Sequence, residues 1–180
     1  MKTFSFAAII SLTVAASLLA SHAFAQSNEV PGNLSKSDFK FACEAATGGK
    51  TEVELGRIAT QKASAASVKR FGEQMVTDHS KAGSNLERIA VQHNAVLPTR
   101  PTAKQQKEIG RLSGLSGAEF DREYVKLMLE DHKKDLKEFQ SAAKSADAAD
   151  LKSFATETST VVQHHLEMVK ALDTEGKFSK

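Results

Sequence analysis

Four residues able to bind a metal stand where apolar residues would be expected: Glu52, His79, His132 and His165. Each interrupts a stripe of apolar residues spaced by threes and fours, the signature of a core-facing helix surface. One stripe reads Val68, Phe71, Met75, His79, Ala82, Leu86, Ile89, His93. A second reads Val125, Met128, His132, Leu136 (or Asp135), Phe139, Ala143, and a third Leu151, Phe154, Thr158, Val161, His165, Met168, Leu172. The Ala-rich first helix has a less definite phase, with Ala45, Gly48, Glu52, Leu55 and Ala59 as its stripe. A buried imidazole or carboxylate is costly unless it is paired or bound to a cation. Four of them, one from each of four helices, make the donor set of a transition-metal site. Asp78, Asp131 and His164 adjoin the core histidines, as partners that orient the imidazoles or as extra ligands. Met75, Met128 and Met168 each lie three or four residues from a core histidine on the same face. Thioether with imidazole suits copper. Methionine also fills irregular core space, and that is the reading preferred here. His93 falls at the end of its stripe, as a bundle-end residue.

Positioning these groups requires four long helices. Proline-free segments run over about 37–62, 65–94, 117–145 and 147–172, with Ser37 or Asp38 as the first N-cap. The first pair and the last pair are joined by short turns. The stretch 95–116, carrying Pro98 and Pro101, is a long crossover with a short helix over 103–112. The expected fold class is therefore all-α: a ferritin-like four-helix bundle of two antiparallel hairpins joined by a long crossover. A weak internal repeat agrees, since Val68-Lys69-Arg70-Phe71 and Leu151-Lys152-Ser153-Phe154 open equivalent helices. Counting from the turns at about 1.5 Å per residue leaves offsets of about 6–9 Å within each hairpin. Those heights permit one extended site or two neighbouring ones. Gly48-Gly49 weakens the first helix but lets a helix or ligand approach closely.

The N-terminus reads as an export signal. Lys2 precedes an uncharged apolar run over 4–20, and Ala23-Phe24-Ala25 supplies a small-x-small cleavage pattern. The expected organisation is a cleaved signal peptide over 1–25, a flexible leader over 26–36, the helical domain over 37–172 and a tail over 173–180. The run is short for a permanent span, so no transmembrane segment is expected in the mature protein. Localisation is expected to be periplasmic, with peripheral envelope association left open. Residues 26–180 suffice for one domain with its own core. The whole chain carries 24 Lys+Arg against 22 Asp+Glu, and this near balance gives no basic face for nucleic acid. The single Cys43 cannot form an internal disulfide and reads as a small buried thiol. No nucleophile elbow or phosphate loop is present, so no catalytic residues are assigned.

Several segments in this order resemble one family. They are Glu52-Val53-Glu54-Leu55-Gly56, Met75-Val76-Thr77-Asp78-His79, Leu115-Ser116-Gly117-Ala118-Glu119-Phe120-Asp121 and His164-His165-Leu166-Glu167-Met168. Together the chain resembles domain of unknown function 4142 over roughly 37–172. The resemblance implies an exported bacterial protein with a ferritin-like fold, and supplies no reaction. Members often carry the label "predicted outer membrane protein", but no alternating strand pattern for a barrel exists in this sequence. Ferritin-like di-iron proteins use a Glu on two helices and Glu-x-x-His on two others. Here Val76 and Val162 stand three residues before His79 and His165, and His132 replaces a carboxylate. Zinc or copper is therefore favoured over di-iron. The expected function is metal storage, buffering or stress protection, with redox activity at the ion left open. The rival is a metal-free bundle that works through its surfaces.

Overall fold

A computed structural model describes residues 29–176. The expected signal peptide, the start of the leader and the last four residues lie outside the described residues. Five helices follow one another: α1 (Lys36–Lys62), α2 (Ala66–Gln92), α3 (Ala103–Ser113), α4 (Gly117–Ser145) and α5 (Ala149–Gly176). α1 packs along α2 and α4 along α5, the two hairpins meeting through α2 with α5 and α1 with α4. This is the expected helical bundle. The short α3 of the crossover lies against α1 and α4, opened by a capping box between Thr102 and Gln105.

What locks the hairpins together was not expected from sequence. α1 is capped by Ser35, whose Oγ accepts from the Asp38 backbone N–H at 3.2 Å, instead of by Ser37 or Asp38. The Asp38 carboxylate is spent elsewhere. It accepts the backbone N–H groups of Asp147 and Ala148 in the α4–α5 turn, the latter at 2.8 Å. Asp121 of α4 does the same for the α1–α2 turn, accepting from Ser64 N–H at 3.0 Å, Ala65 N–H at 2.9 Å and the Ser64 hydroxyl. Both acids are buried. The N-cap of α2, Ala65, has no side chain able to cap, so the other hairpin supplies the acceptor. Each turn is thus tied to the first turns of the opposite hairpin, and this fixes the relative heights of all four long helices.

Close approach of α1 to α2 occurs at Gly56 and Gly72. A Cβ on Gly56 would stand 2.7 Å from the Gly72 carbonyl oxygen, and one on Gly72 would stand 2.8 Å from that of Gly56. At Gly48 and Gly49, expected to admit a helix or a ligand, no helix approaches and the space around their α-carbons is open.

The described part of the leader is not loose. Val30 and Val96 exchange backbone hydrogen bonds, Asn33 N–H donates to the His93 carbonyl at 2.8 Å, and Leu34 is buried. Gly32, at φ +57°, lies so close to the 93–94 backbone that no Cβ would fit. At the other end α5 continues to Gly176, beyond the expected limit at 172.

The interior consists of two apolar clusters. One gathers Leu55, Phe71, Met75, Phe120, Tyr124 and Met128 with neighbours near the α1–α2 turn. The other gathers Ala42, Ala46, Leu86, Ile89, Leu151 and Phe154 nearer the opposite end. Along every long helix the inward polar residue falls between members of the two clusters. The α5 stripe is shifted from expectation: Val162 is buried while Val161 is exposed, because the buried face also carries Ala155, Leu166 and Val169, which lie on the Val162 side of Thr158 and His165. No helix among the described residues is long and apolar enough to cross a membrane.

Candidate metal centre

All four inward polar residues are buried, and His132 and His165 have no exposed surface. His79, His132 and His165 bring one ring nitrogen each to within 4.8 Å of one another. Their ring centroids are 5.2–5.9 Å apart. Among the described residues the three imidazoles thus form one cluster, in spite of the height offsets counted from the turns. Phe71 forms an apolar floor, its ring centroid 6.2–6.3 Å from those of His165 and His132.

Each imidazole is oriented by an acceptor on its other nitrogen. His79 Nδ1 donates to Glu52 Oε2 at 3.0 Å, His132 Nδ1 to the Met128 carbonyl at 2.9 Å, and His165 Nε2 to Asp78 Oδ2 at 2.8 Å. Since the carbonyl and ionised carboxylates can only accept, the proton is assigned to the nitrogen facing them. That leaves His79 Nε2, His132 Nε2 and His165 Nδ1, all buried, without a hydrogen-bond partner among the described residues. Glu52 Oε1 is likewise unpartnered, with His132 Nε2 3.7 Å away, beyond hydrogen-bond reach. Three buried nitrogens and one buried carboxylate oxygen are thus left unpartnered; the three imidazoles form the close cluster, and Glu52 adjoins it through His79 and His132 without being part of it.

The electrostatics sort the four groups. Burial pushes the Glu52 carboxyl up, but His79 and the other histidines outweigh it and hold it at about 2. Burial works against an imidazolium at His79, yet the attraction and hydrogen bond of Glu52 raise it above its usual value. Burial and neighbouring His79 hold His165 down at about 4, and burial lowers His132 as well. In the metal-free centre Glu52 thus favours a proton on His79, while burial disfavours one on His132 and His165. Close by on α4, burial and the Glu52 charge push Asp131 up to about 6 and Asp135 up to about 8. An added cation would relieve that crowding of carboxyl groups.

The neighbouring candidates separate. Half-buried Asp78 orients His165 and also accepts from Gln74 at 2.7 Å. Asp131 is half-buried beside the centre, and His164 is exposed on the outer face of α5. Met75, Met128 and partly buried Met168 pack in the apolar cluster beneath the centre, which agrees with the filler reading. His93 pairs with Asp150 at 2.9 Å at the bundle end. Cys43 is only half-buried; burial and then Glu29 and Glu44 push its thiol up to about 11, far from a thiolate. Tyr124 was missed. It is fully buried, stacks on Phe120 at 5.4 Å, and its hydroxyl has no hydrogen-bond partner among the described residues. Its place two turns before His132 on the same stripe was the available signal.

Two solved structures, both of DUF305 proteins, share this arrangement of helices. One from Streptomyces coelicolor is 16% identical, covering 78% of this chain and 94% of its own, with a TM-score of 0.66. One from Deinococcus radiodurans is 10% identical, covering 77% and 96%, with a TM-score of 0.68. At such identities the likeness concerns the fold alone. None of the curated proteins matches the chain. The family described as domain of unknown function, DUF4142, matches residues 23–172. With the match spanning all but the last four residues of the helical bundle, the chain belongs to the DUF4142 family.

Proposed function

We propose that this chain is an exported, periplasmic protein that binds one zinc or copper ion through Glu52, His79, His132 and His165, for storage, buffering or stress protection. One observation carries the reading: the buried rings of His79, His132 and His165 each bring a nitrogen within 4.8 Å of the others, and His79 Nε2, His132 Nε2, His165 Nδ1 and the adjoining Glu52 Oε1 have no hydrogen-bond partner among the described residues. Leaving one such atom unsatisfied costs about 1–3 kcal/mol, so four together are expensive unless a ligand satisfies them. Imidazole-rich donor sets suit zinc and copper, whereas the di-iron pattern needs more carboxylates than the single inward Glu52 provides.

The test uses exported protein purified without a histidine tag. Elemental analysis should find about one equivalent of metal, a count set by the single cluster. Zinc or copper at 100 times its Kd should stabilise the fold by about 2.7 kcal/mol. His79→Ala and His165→Ala should lose both effects. Absence of bound metal, with no thermal shift from zinc, copper, iron or manganese, would overturn the proposal in favour of a metal-free bundle.

A further inference from the structure

A cavity of about 710 Å³ reaches from the surface to the centre, and its lining includes Glu52 and His79 but not His132 or His165. The centre therefore has a front and a back. On the front, two glycines stand one helical turn from the ligands: Gly48 four residues before Glu52, and Gly83 four residues after His79. Because α1 and α2 are antiparallel, both glycines lie on the same side of the centre, away from the α1–α2 turn. Both line the cavity. A Cβ built on either would meet no atom within 4 Å. Neither is required by packing, in contrast to Gly56 and Gly72, whose added Cβ atoms would collide with backbone. Glycine within a helix lowers its stability, and here the return is open space directly above two ligands. Asp135, three residues after His132 and facing the same level from α4, lines this passage too.

We infer that the gap at Gly48 and Gly83 is the route by which the metal ion reaches and leaves the centre, meeting Glu52 and His79 at its inner end. The inference rests on the metal-binding reading proposed above. The bound ion then stays exchangeable from this side, while Phe71 and the apolar cluster close the other.

The experiment measures zinc uptake by stopped flow and zinc removal by excess chelator, on folded exported protein. Gly48→Phe and Gly83→Phe should each slow uptake and removal by about tenfold or more while leaving Kd nearly unchanged, as expected when access and not the ligand set is altered. Gly110→Phe, in α3 outside the cavity, should do neither. Should a phenylalanine variant fail to fold by circular dichroism, Gly48→Leu and Gly83→Leu give the same readout. Unchanged rates in folded plugged variants would overturn the route while leaving the metal site intact. No zinc uptake by the unsubstituted protein would instead overturn the metal reading, and the route with it.

Discussion

Asp78→Ala is the substitution that tests the centre most directly, because Asp78 touches it through one hydrogen bond only. His165 is completely buried, and its Nε2–H is held by Asp78 Oδ2 at 2.8 Å. Without that acceptor the ring has two options. It can keep the proton on Nε2 and leave a buried donor unpaired, which costs the metal-free protein about 1–3 kcal/mol. Or it can move the proton to Nδ1, which removes the lone pair facing the centre. The first option lowers Tm, by about 2–4 °C for each kcal/mol in a chain of this size. Both weaken metal binding, and loss of such an orienting partner typically costs about 10–100-fold in affinity. Competition against a chromophoric chelator measures the affinity, and melting of the metal-free protein measures the stability. Asp78→Asn keeps an accepting oxygen without the charge and should fall between wild type and Asp78→Ala. His164→Ala, on the exposed face next door, should change neither quantity. An Asp78→Ala protein with wild-type affinity and wild-type Tm would refute the assignment of His165 as an oriented ligand.

Four further outcomes are expected. Since Glu52 raises His79 above its usual value, metal must displace the His79 proton wherever that imidazole is charged, so affinity should fall about tenfold per pH unit below the raised value; calorimetry in buffers of different ionisation enthalpy should detect proton release that grows as pH falls. His165 stays neutral down to about 4 in the fold against 6.5 when unfolded, so its contribution is complete above pH 6.5 and lost as pH falls towards 4, on the order of 3 kcal/mol. Raised Asp135 acts with the opposite sign, so the readout is the urea stability of metal-free wild type relative to His165→Gln, whose advantage should grow as pH drops. Asp121→Ala leaves the Ser64 and Ala65 N–H groups without their acceptor and should cost about 1–3 kcal/mol in urea unfolding. Gly48→Ala should stabilise by up to about 1 kcal/mol through helix propensity, whereas Gly56→Ala should destabilise by about 1–3 kcal/mol because the α1–α2 backbones must separate; equal effects at the two glycines would contradict their assigned roles.

The bundle was legible because its signals are local and repeated. Proline-free stretches with apolar residues at threes and fours, short turns within pairs and a proline-marked crossover each point to the same topology. Polar interruptions of those stripes also singled out Glu52, His79, His132 and His165. The ties between hairpins were not legible. Asp38 and Asp121 look like ordinary first-turn acids, and only the fold brings them to turns 109 and 57 residues away in sequence. The phase of α5 failed for a related reason. Val161 and Val162 are equally apolar, and the choice between them is made by α2 and α4 packing on that face. Glycine was ambiguous in the same way: sequence marked Gly48-Gly49 as a point of close approach, but the contact that draws α1 to α2 is Gly56 with Gly72. Donor orientation was beyond reach as well, since whether Nδ1 or Nε2 faces inward depends on which acceptor the opposite nitrogen finds.

That last point explains what kind of site the bundle can make. The three rings take their orientation from three different places: a carboxylate on α1, a carbonyl one turn back on α4, and a carboxylate on α2. No single helix movement would release all of them. A cation therefore meets donors already aimed, and little of its binding free energy goes to ordering side chains. The same arrangement makes the metal-free bundle weaker than an apolar one of equal volume. Its middle layer carries a buried carboxylate, three buried imidazoles and four unpartnered atoms between two apolar clusters. Binding and stability are then two readings of one equilibrium. The variants that remove a donor while filling its space with an apolar side chain, such as His132→Leu, should lose metal and yet melt no lower than the metal-free wild type. A large fall in Tm for such a variant would mean that the polar layer holds the fold together on its own, through contacts other than a bound ion.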